Sequence, residues 1–151
     1  VKPHRATIVW THDGGDFLKR RYSRVHTVGF EHGLEVVGSA ATSVVPKPFA
    51  IDEAVDPEAM LTASLSACHM LTFLDVAARA GFQVAAYRDE AEGALGKLPS
   101  GKYAVTRVVL HPKITWAGDK QPSPEELADL HHKAHDACFI SNSVTTEVVV
   151  E

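Results

Sequence analysis

The stretch "DPEAMLTASLSACHMLTFLDVAARAGF", Asp56 to Phe82, decides the fold. Asp56 is a good N-cap, Pro57 suits a first helical position, and Glu58 favours the positive end of the helix dipole. Gly81 is a natural stop. About 24 residues at ~1.5 Å each give a rod of about 36 Å. A compact chain of this length has a radius of gyration of roughly 15 Å, so such a rod crosses the whole domain. Leu61, Leu65, Met70, Leu71, Phe73 and Val76 point to almost every side of it. A helix apolar all round calls for burial all round. One small sheet covers one side only, so a partner subunit is expected on the other.

Upstream of this helix, "RATIVW" (Arg5 to Trp10) has strand propensity and runs into the turn signal "THDGGD". Residues from about Phe17 to Phe30 and from Leu34 to Ser43 read as two more strands, broken at "EHG". "VVPKPFAIDEAVDP" carries three prolines and reads as the loop into the helix. Downstream, "FQVAAYRDEAEGAL" and "KYAVTRVVLHPKITW" are strand-like runs joined by "GKLPSGK". "SPEELADLHHKAHDACF" opens with a capping box, Ser123 answered by Glu126, and predicts a second helix to about Cys138. "SVTTEVVVE" closes the chain as a β-branched strand. Strands, a long helix, strands, a helix and a strand make an α+β fold, read as a single domain over residues 1–151.

A chain of 151 residues can bury a real core, and 45% hydrophobic with 23% charged residues excludes a disordered chain. A net charge of −4 leaves no electrostatic footprint for nucleic acid or an anionic membrane. "VKPHRATIVW" has no signal-like apolar region and no run of eighteen apolar residues follows, so cytoplasm is the expected compartment. Two cysteines are too few for a disulfide scaffold and lack the spacing of a zinc ribbon. They are either two inert thiols or one working pair.

The residues offer three constellations. His131, His135 and Cys138 share one face of the second helix, with His132 beside them. Zinc sites usually draw ligands in pairs from tight loops, so this reads as a polar helix face, and no metal or cofactor is expected. Cys68, flanked by Ser66 and His69, sits mid-helix, ten residues after Glu58. A buried carboxylate needs a partner, and the nearest cations in sequence are Lys19, Arg20, Arg21 and Arg24. A guanidinium held there would lower a nearby thiol pKa. Adjacent helical residues point about 100° apart, so His69 reads as a packing or interface residue rather than a base for Cys68. His26 stays open between a proton acceptor and a packing role. Cys138 ends the second helix beside "FISNSV", where a loose "SNS" turn would let it move toward a rigid partner.

Asp56-Pro57-Glu58, Ala67-Cys68, and Cys138 followed by Ser141-Asn142 resemble the OsmC/Ohr family of thiol-dependent peroxidases. The resemblance covers nearly the whole chain and implies an intertwined homodimer with the long helices at its centre. It implies Cys68 as the peroxidatic cysteine attacking an organic hydroperoxide, Cys138 as the resolving cysteine, and a dithiol reductant of the lipoyl-protein type. It further implies that Glu58 holds an arginine beside the thiolate. The hydroperoxide-resistance branch carries that arginine in a Gly-Gly-Arg loop; here Asp16 follows Gly14-Gly15, and Arg24 in "YSRVH" is favoured over Arg20 or Arg21. His69 after the first cysteine, and Phe139 where proline is common after the second, mark a divergent branch. The alternative expectation is a non-enzymatic, redox-responsive or ligand-binding dimer on the same fold.

Overall fold

The caps read from sequence are the ones that form. In the computed structural model, which describes all 151 residues, Asp56 Oδ1 accepts the Ala59 N–H at 2.8 Å and opens helix α1, Pro57–Arg79. Ser123 Oγ accepts the Glu126 N–H at 3.1 Å while Glu126 Oε2 accepts the Ser123 N–H at 2.8 Å, opening α2, Pro124–Ala137. The chain divides into two compact units, Val1–Met60 and Leu61–Glu151.

In the first unit β1 (Ala6–Val9), β2 (His26–Phe30) and β3 (Glu35–Gly38) form an antiparallel meander. The strand expected from Phe17 starts only at His26. One carboxylate explains the loss: Asp13 Oδ1 takes the Gly15 N–H at 3.1 Å and Oδ2 the Ser23 N–H at 3.0 Å, drawing both amides away from a ladder. Phe17 stacks on Tyr22 at 4.7 Å and Arg20 adopts a φ of 60°, so residues 17–25 close into a loop. The third strand stops at Gly38 rather than Ser43, because the Ser39 N–H turns to Val55 O at 3.1 Å. At Gly38 a side chain would collide with the His26 imidazole, whose Nδ1 lies 2.7 Å from Arg24 O. His26 is thus a packing residue of this sheet.

In the second unit each long strand-like run is broken in two. β4 (Gln83–Asp89) pairs with β7 (Pro112–Ala117), and β5 (Glu92–Lys97) pairs with β6 (Tyr103–Leu110). A single long hairpin therefore bends where β4 gives way to β5. Asp89 holds the bend: one carboxylate oxygen accepts the His111 N–H at 2.7 Å, the other the Ser66 hydroxyl of α1. β8 (Glu147–Val150) runs parallel to β6.

The stripe Thr62, Leu65, His69, Phe73 and Ala77 is the buried face of α1, at the spacing of three and four that defines one side of a helix. Phe73 and Ala77 pack with Phe82, Leu130 and Ala134; Leu65 packs with Val108 and Leu110. The opposite side, with Ala63, Ala67, Leu71 and Ala78, is exposed in this chain. All-round burial of α1 was expected; one chain supplies one buried stripe, because the second unit's sheets and α2 cover a single face.

Candidate redox site at Cys68 and Cys138

Cys68 follows the buried stripe of α1 by three residues from Leu65 and is half-buried. Cys138 is the C-cap of α2, the last of Leu130, Ala134 and Cys138 that turn inward at four-residue spacing, and it has no exposed surface. The two cysteines, seventy positions apart in sequence, are brought together as reduced thiols near enough for each to shift the other's ionisation.

The segment after α2 closes around the sulfurs. A 3-10 turn, Ser141–Ser143, places the Ser141 N–H 3.5 Å from Cys138 Sγ. The Asn142 N–H binds Cys138 O at 3.1 Å, Asn142 Nδ2 binds Asp136 O at 3.1 Å, and Ser143 Oγ binds Phe139 O at 2.7 Å. The "SNS" turn expected to be loose is thus tied at each residue, and the buried cysteine is the downstream one. The Phe139 and Ile140 amides point at Cys68, and the Ile140 and Ser141 amides at Cys138. Successive N–H groups converging on one spot make a nest for negative charge.

Burial pushes the Cys68 thiol up, and the neighbouring Cys138 pushes it further, against a smaller pull from the Ile140 and Phe139 amides. Burial acts upward on Cys138 as well. There the neighbouring Cys68 thiol and the Ser141 and Ile140 amides pull the other way, and the thiol falls below its ordinary range. The pair's first negative charge is therefore favoured at Cys138.

His69 and His131 are the residues that sequence reasoning missed as a pair. His69 is fully buried, and its Nε2 lies 3.0 Å from His131 Nδ1 with the rings 11° from parallel. His131 also stacks on Phe73 at 4.5 Å. Neutral imidazoles share one proton across such a contact. If His131 donated, His69 Nδ1 would carry a buried N–H without an acceptor, since Nδ1 has no partner. His69 Nε2–H is therefore the donor and His131 Nδ1 the acceptor. Burial, then the neighbouring His131 and His135, bring the His69 pKa down to about 4, with Asp89 opposing; burial also lowers His131. The position of His69 in the apolar stripe was the available signal. His131 is used in this packing, whereas His132 is exposed beside Asp136 at 3.3 Å, and no group of three or more His, Cys, Asp or Glu is arranged to hold a metal.

Arg24 and Glu58 belong to the first unit, Cys68 and Cys138 to the second. Arg24 Nη1 donates to Arg20 O at 3.0 Å and to Tyr22 O, and its guanidinium lies 3.7 Å over the Tyr22 ring. Glu58 stands in the first turn of α1.

An α+β chain with two neighbouring thiols, one on a long helix and one at the end of the other helix, defines a cysteine-pair protein. The family model for OsmC-like protein matches residues 51–151, and the chain belongs to the OsmC-like family. It is similar to an OsmC-like protein of unknown function from Vibrio cholerae, at 44% identity and a TM-score of 0.96 over 100% of this chain and 99% of that one. An organic hydroperoxide resistance protein from Elizabethkingia anophelis shares the fold at 22% identity and a TM-score of 0.73, covering 99% of this chain and 93% of that chain. One from Bacillus subtilis does so at 19% identity and a TM-score of 0.63, over 97% of this chain and 96% of that chain. No curated protein matches the chain.

Proposed function

We propose that the protein is a thiol-dependent peroxidase that reduces organic hydroperoxides, with Cys68 as the peroxidatic and Cys138 as the resolving cysteine. The observation that carries this reading is the adjacent thiol pair beside the amides of residues 139–141, with only Cys68 exposed in part. Cys68 passes its proton to the Cys138 sulfur and becomes the nucleophile. Its sulfur attacks one oxygen of the hydroperoxide; an S–O bond forms and the O–O bond breaks. The alkoxide takes the proton from Cys138 and leaves as an alcohol. Cys138, again a thiolate, attacks the Cys68 sulfenic acid; the S–S bond forms, the S–O bond breaks, and hydroxide leaves to become water. The two thiols supply the two electrons, and a dithiol reductant of the lipoyl-protein type restores them.

Glu58 and Arg24 complete this reading on the strength of the sequence resemblance. Arg24 supplies positive charge to the thiolate and the departing alkoxide, and Glu58 holds it. The enzyme works as a homodimer in the reducing cytoplasm, and the exposed Ala63, Ala67 and Leu71 side of α1 supports that assembly.

The experiment is consumption of cumene hydroperoxide and of hydrogen peroxide by purified protein with a dithiol, wild type beside Cys68→Ser, Cys138→Ser and Arg24→Ala. Turnover that prefers the organic peroxide and disappears in Cys68→Ser is expected, with a large loss in Arg24→Ala. Wild type no faster than the free dithiol refutes the peroxidase. One observation favours a second reading, a redox-responsive dimer without turnover: the Arg24 guanidinium is already engaged by two carbonyls and an aromatic ring. That reading expects a disulfide after peroxide treatment, no catalytic consumption, and no effect of Arg24→Ala.

A further inference from the structure

The reading of Cys68 and Cys138 as a pair that closes to a disulfide makes the register between α1 and α2 a chemical requirement. A disulfide needs its sulfurs at about 2.05 Å, whereas sliding one helix past another by a single turn moves every side chain about 5.4 Å. The buried apolar side chains that join these helices are four, Phe73 and Ala77 of α1 with Leu130 and Ala134 of α2, with Val76 and Leu127 packed at their edge. Apolar contacts carry no direction, and two of these four side chains are alanine. Smooth contact of this kind resists separation better than it resists sliding.

One contact between the helices is directional. His69 Nε2 meets His131 Nδ1 at 3.0 Å, with His131 stacked against Phe73. A hydrogen bond weakens steeply as its angle falls, so this contact fixes position along the helix as well as distance. Its location matters. His69 is the residue after Cys68, and His131 stands seven residues before Cys138, two turns away on the inward side of α2 that also carries Ala134. The other directional holds at this end of α2, the Phe139 and Ile140 amides at Cys68 and the local hydrogen bonds of residues 136–143, lie in the segment that must itself move as the disulfide closes.

We propose that His69 and His131 are positioning residues for disulfide closure: their buried hydrogen bond sets α2 against α1 so that Cys138 stands at Cys68. Neither imidazole takes part in the bond changes. The closure step remains attack of the Cys138 thiolate on the Cys68 sulfenic sulfur, with loss of hydroxide.

The test separates the two half-steps in single turnover with cumene hydroperoxide. Sulfenic acid formation on Cys68 is followed by a sulfenic-specific trap, and closure by loss of free thiols and a shifted intact mass. His131→Phe keeps a ring against Phe73 but removes the acceptor; closure should slow at least tenfold while Cys68 oxidation stays within about twofold. His131→Asn puts an amide oxygen near the place of Nδ1, and closure should return to within about threefold of wild type. That rescue would not follow from a purely space-filling role, because Asn is the smaller side chain. Closure at the wild-type rate in His131→Phe overturns the proposal, as does His131→Asn closing no faster than His131→Phe. Should His131→Phe not fold, His69→Gln replaces it as a second rescue variant, and slow closure there overturns the proposal. A wild-type protein that forms no intramolecular disulfide at all overturns the cysteine-pair reading together with this one, whereas unequal closure among variants cannot arise without the pair.

Discussion

His69 makes the fold acid-sensitive by an amount the structure allows one to work out. The side chain has no exposed surface, and its pKa is brought from 6.5 to about 4, first by burial and then by His131 and His135. In the unfolded chain the imidazole binds its proton below about pH 6.5; in the fold it stays neutral until about pH 4. Between those values the unfolded state holds the extra proton, so stability is complete above pH 6.5 and is lost as pH falls. At about 1.4 kcal/mol per pH unit the full window is worth about 3 kcal/mol, and the part between pH 7 and pH 5 about 2 kcal/mol. His69→Gln places an amide N–H near Nε2, keeps a donor for His131, and cannot titrate. Urea unfolding of both proteins, followed by tryptophan fluorescence at fixed protein concentration, measures the difference. Wild type should lose about 2 kcal/mol more than His69→Gln between pH 7 and pH 5. The carboxylates held low by hydrogen bonds, Asp13, Asp52 and Glu90, start from ordinary values of 3.8, 3.8 and 4.5, act below this window, and are common to both proteins. Parallel loss in the two proteins would refute the buried neutral imidazole.

Other perturbations follow from single contacts. Phe73→Ala empties a fully buried site touching His131, Tyr87 and Trp116, and should cost about 3–5 kcal/mol, read as a lower urea midpoint with altered Trp116 emission. Ser123→Ala removes the capping box of α2 and should cost about 1 kcal/mol, with Ser123→Asp recovering most of it. Asp89→Asn leaves one oxygen where two accept, from His111 N–H and the Ser66 hydroxyl. It should cost about 1–3 kcal/mol and speed amide exchange at His111.

Local chemistry was the legible part of this fold. Asp56, Ser123 and Glu126 cap their helices through atoms three residues apart, so sequence alone suffices there. The strand-like runs were legible as extended chain but not as elements. Alternation over "FQVAAYRDEAEGAL" looks the same whether the chain stays in one sheet or leaves it, and the departure is set by Asp89 binding His111, a residue on a different strand. Residues 17–25 misled for a related reason: β propensity there is overridden by one carboxylate, Asp13, that collects two amides from either side of the loop. The cysteines were legible as a pair through their flanking motifs. Which of them is buried was not, because the hydrogen bonds that close residues 138–143 over Cys138 depend on where α2 ends.

The burial pattern matters for how this pair must work. A peroxidatic thiol is usually pictured as the one with the lowered pKa, yet here burial and Cys138 push Cys68 up while the Ser141 and Ile140 amides favour charge on Cys138. The sulfur best supplied with negative charge has no surface, and the sulfur with surface holds the proton. A direct attack by the more acidic thiol is therefore closed to any substrate arriving from solvent. In the peroxidase proposed above the pair resolves this as a unit, with the Cys68 proton passing to Cys138 so that charge reaches Cys68. A pH–rate profile for Cys68 oxidation should then change when Cys138 is replaced by serine, whose hydroxyl does not ionise in the working range: the rise in rate should move to higher pH, since the base beside Cys68 is gone. If Cys138→Ser leaves that profile where it was, Cys68 ionises alone, and Cys138 enters the chemistry only to close the disulfide.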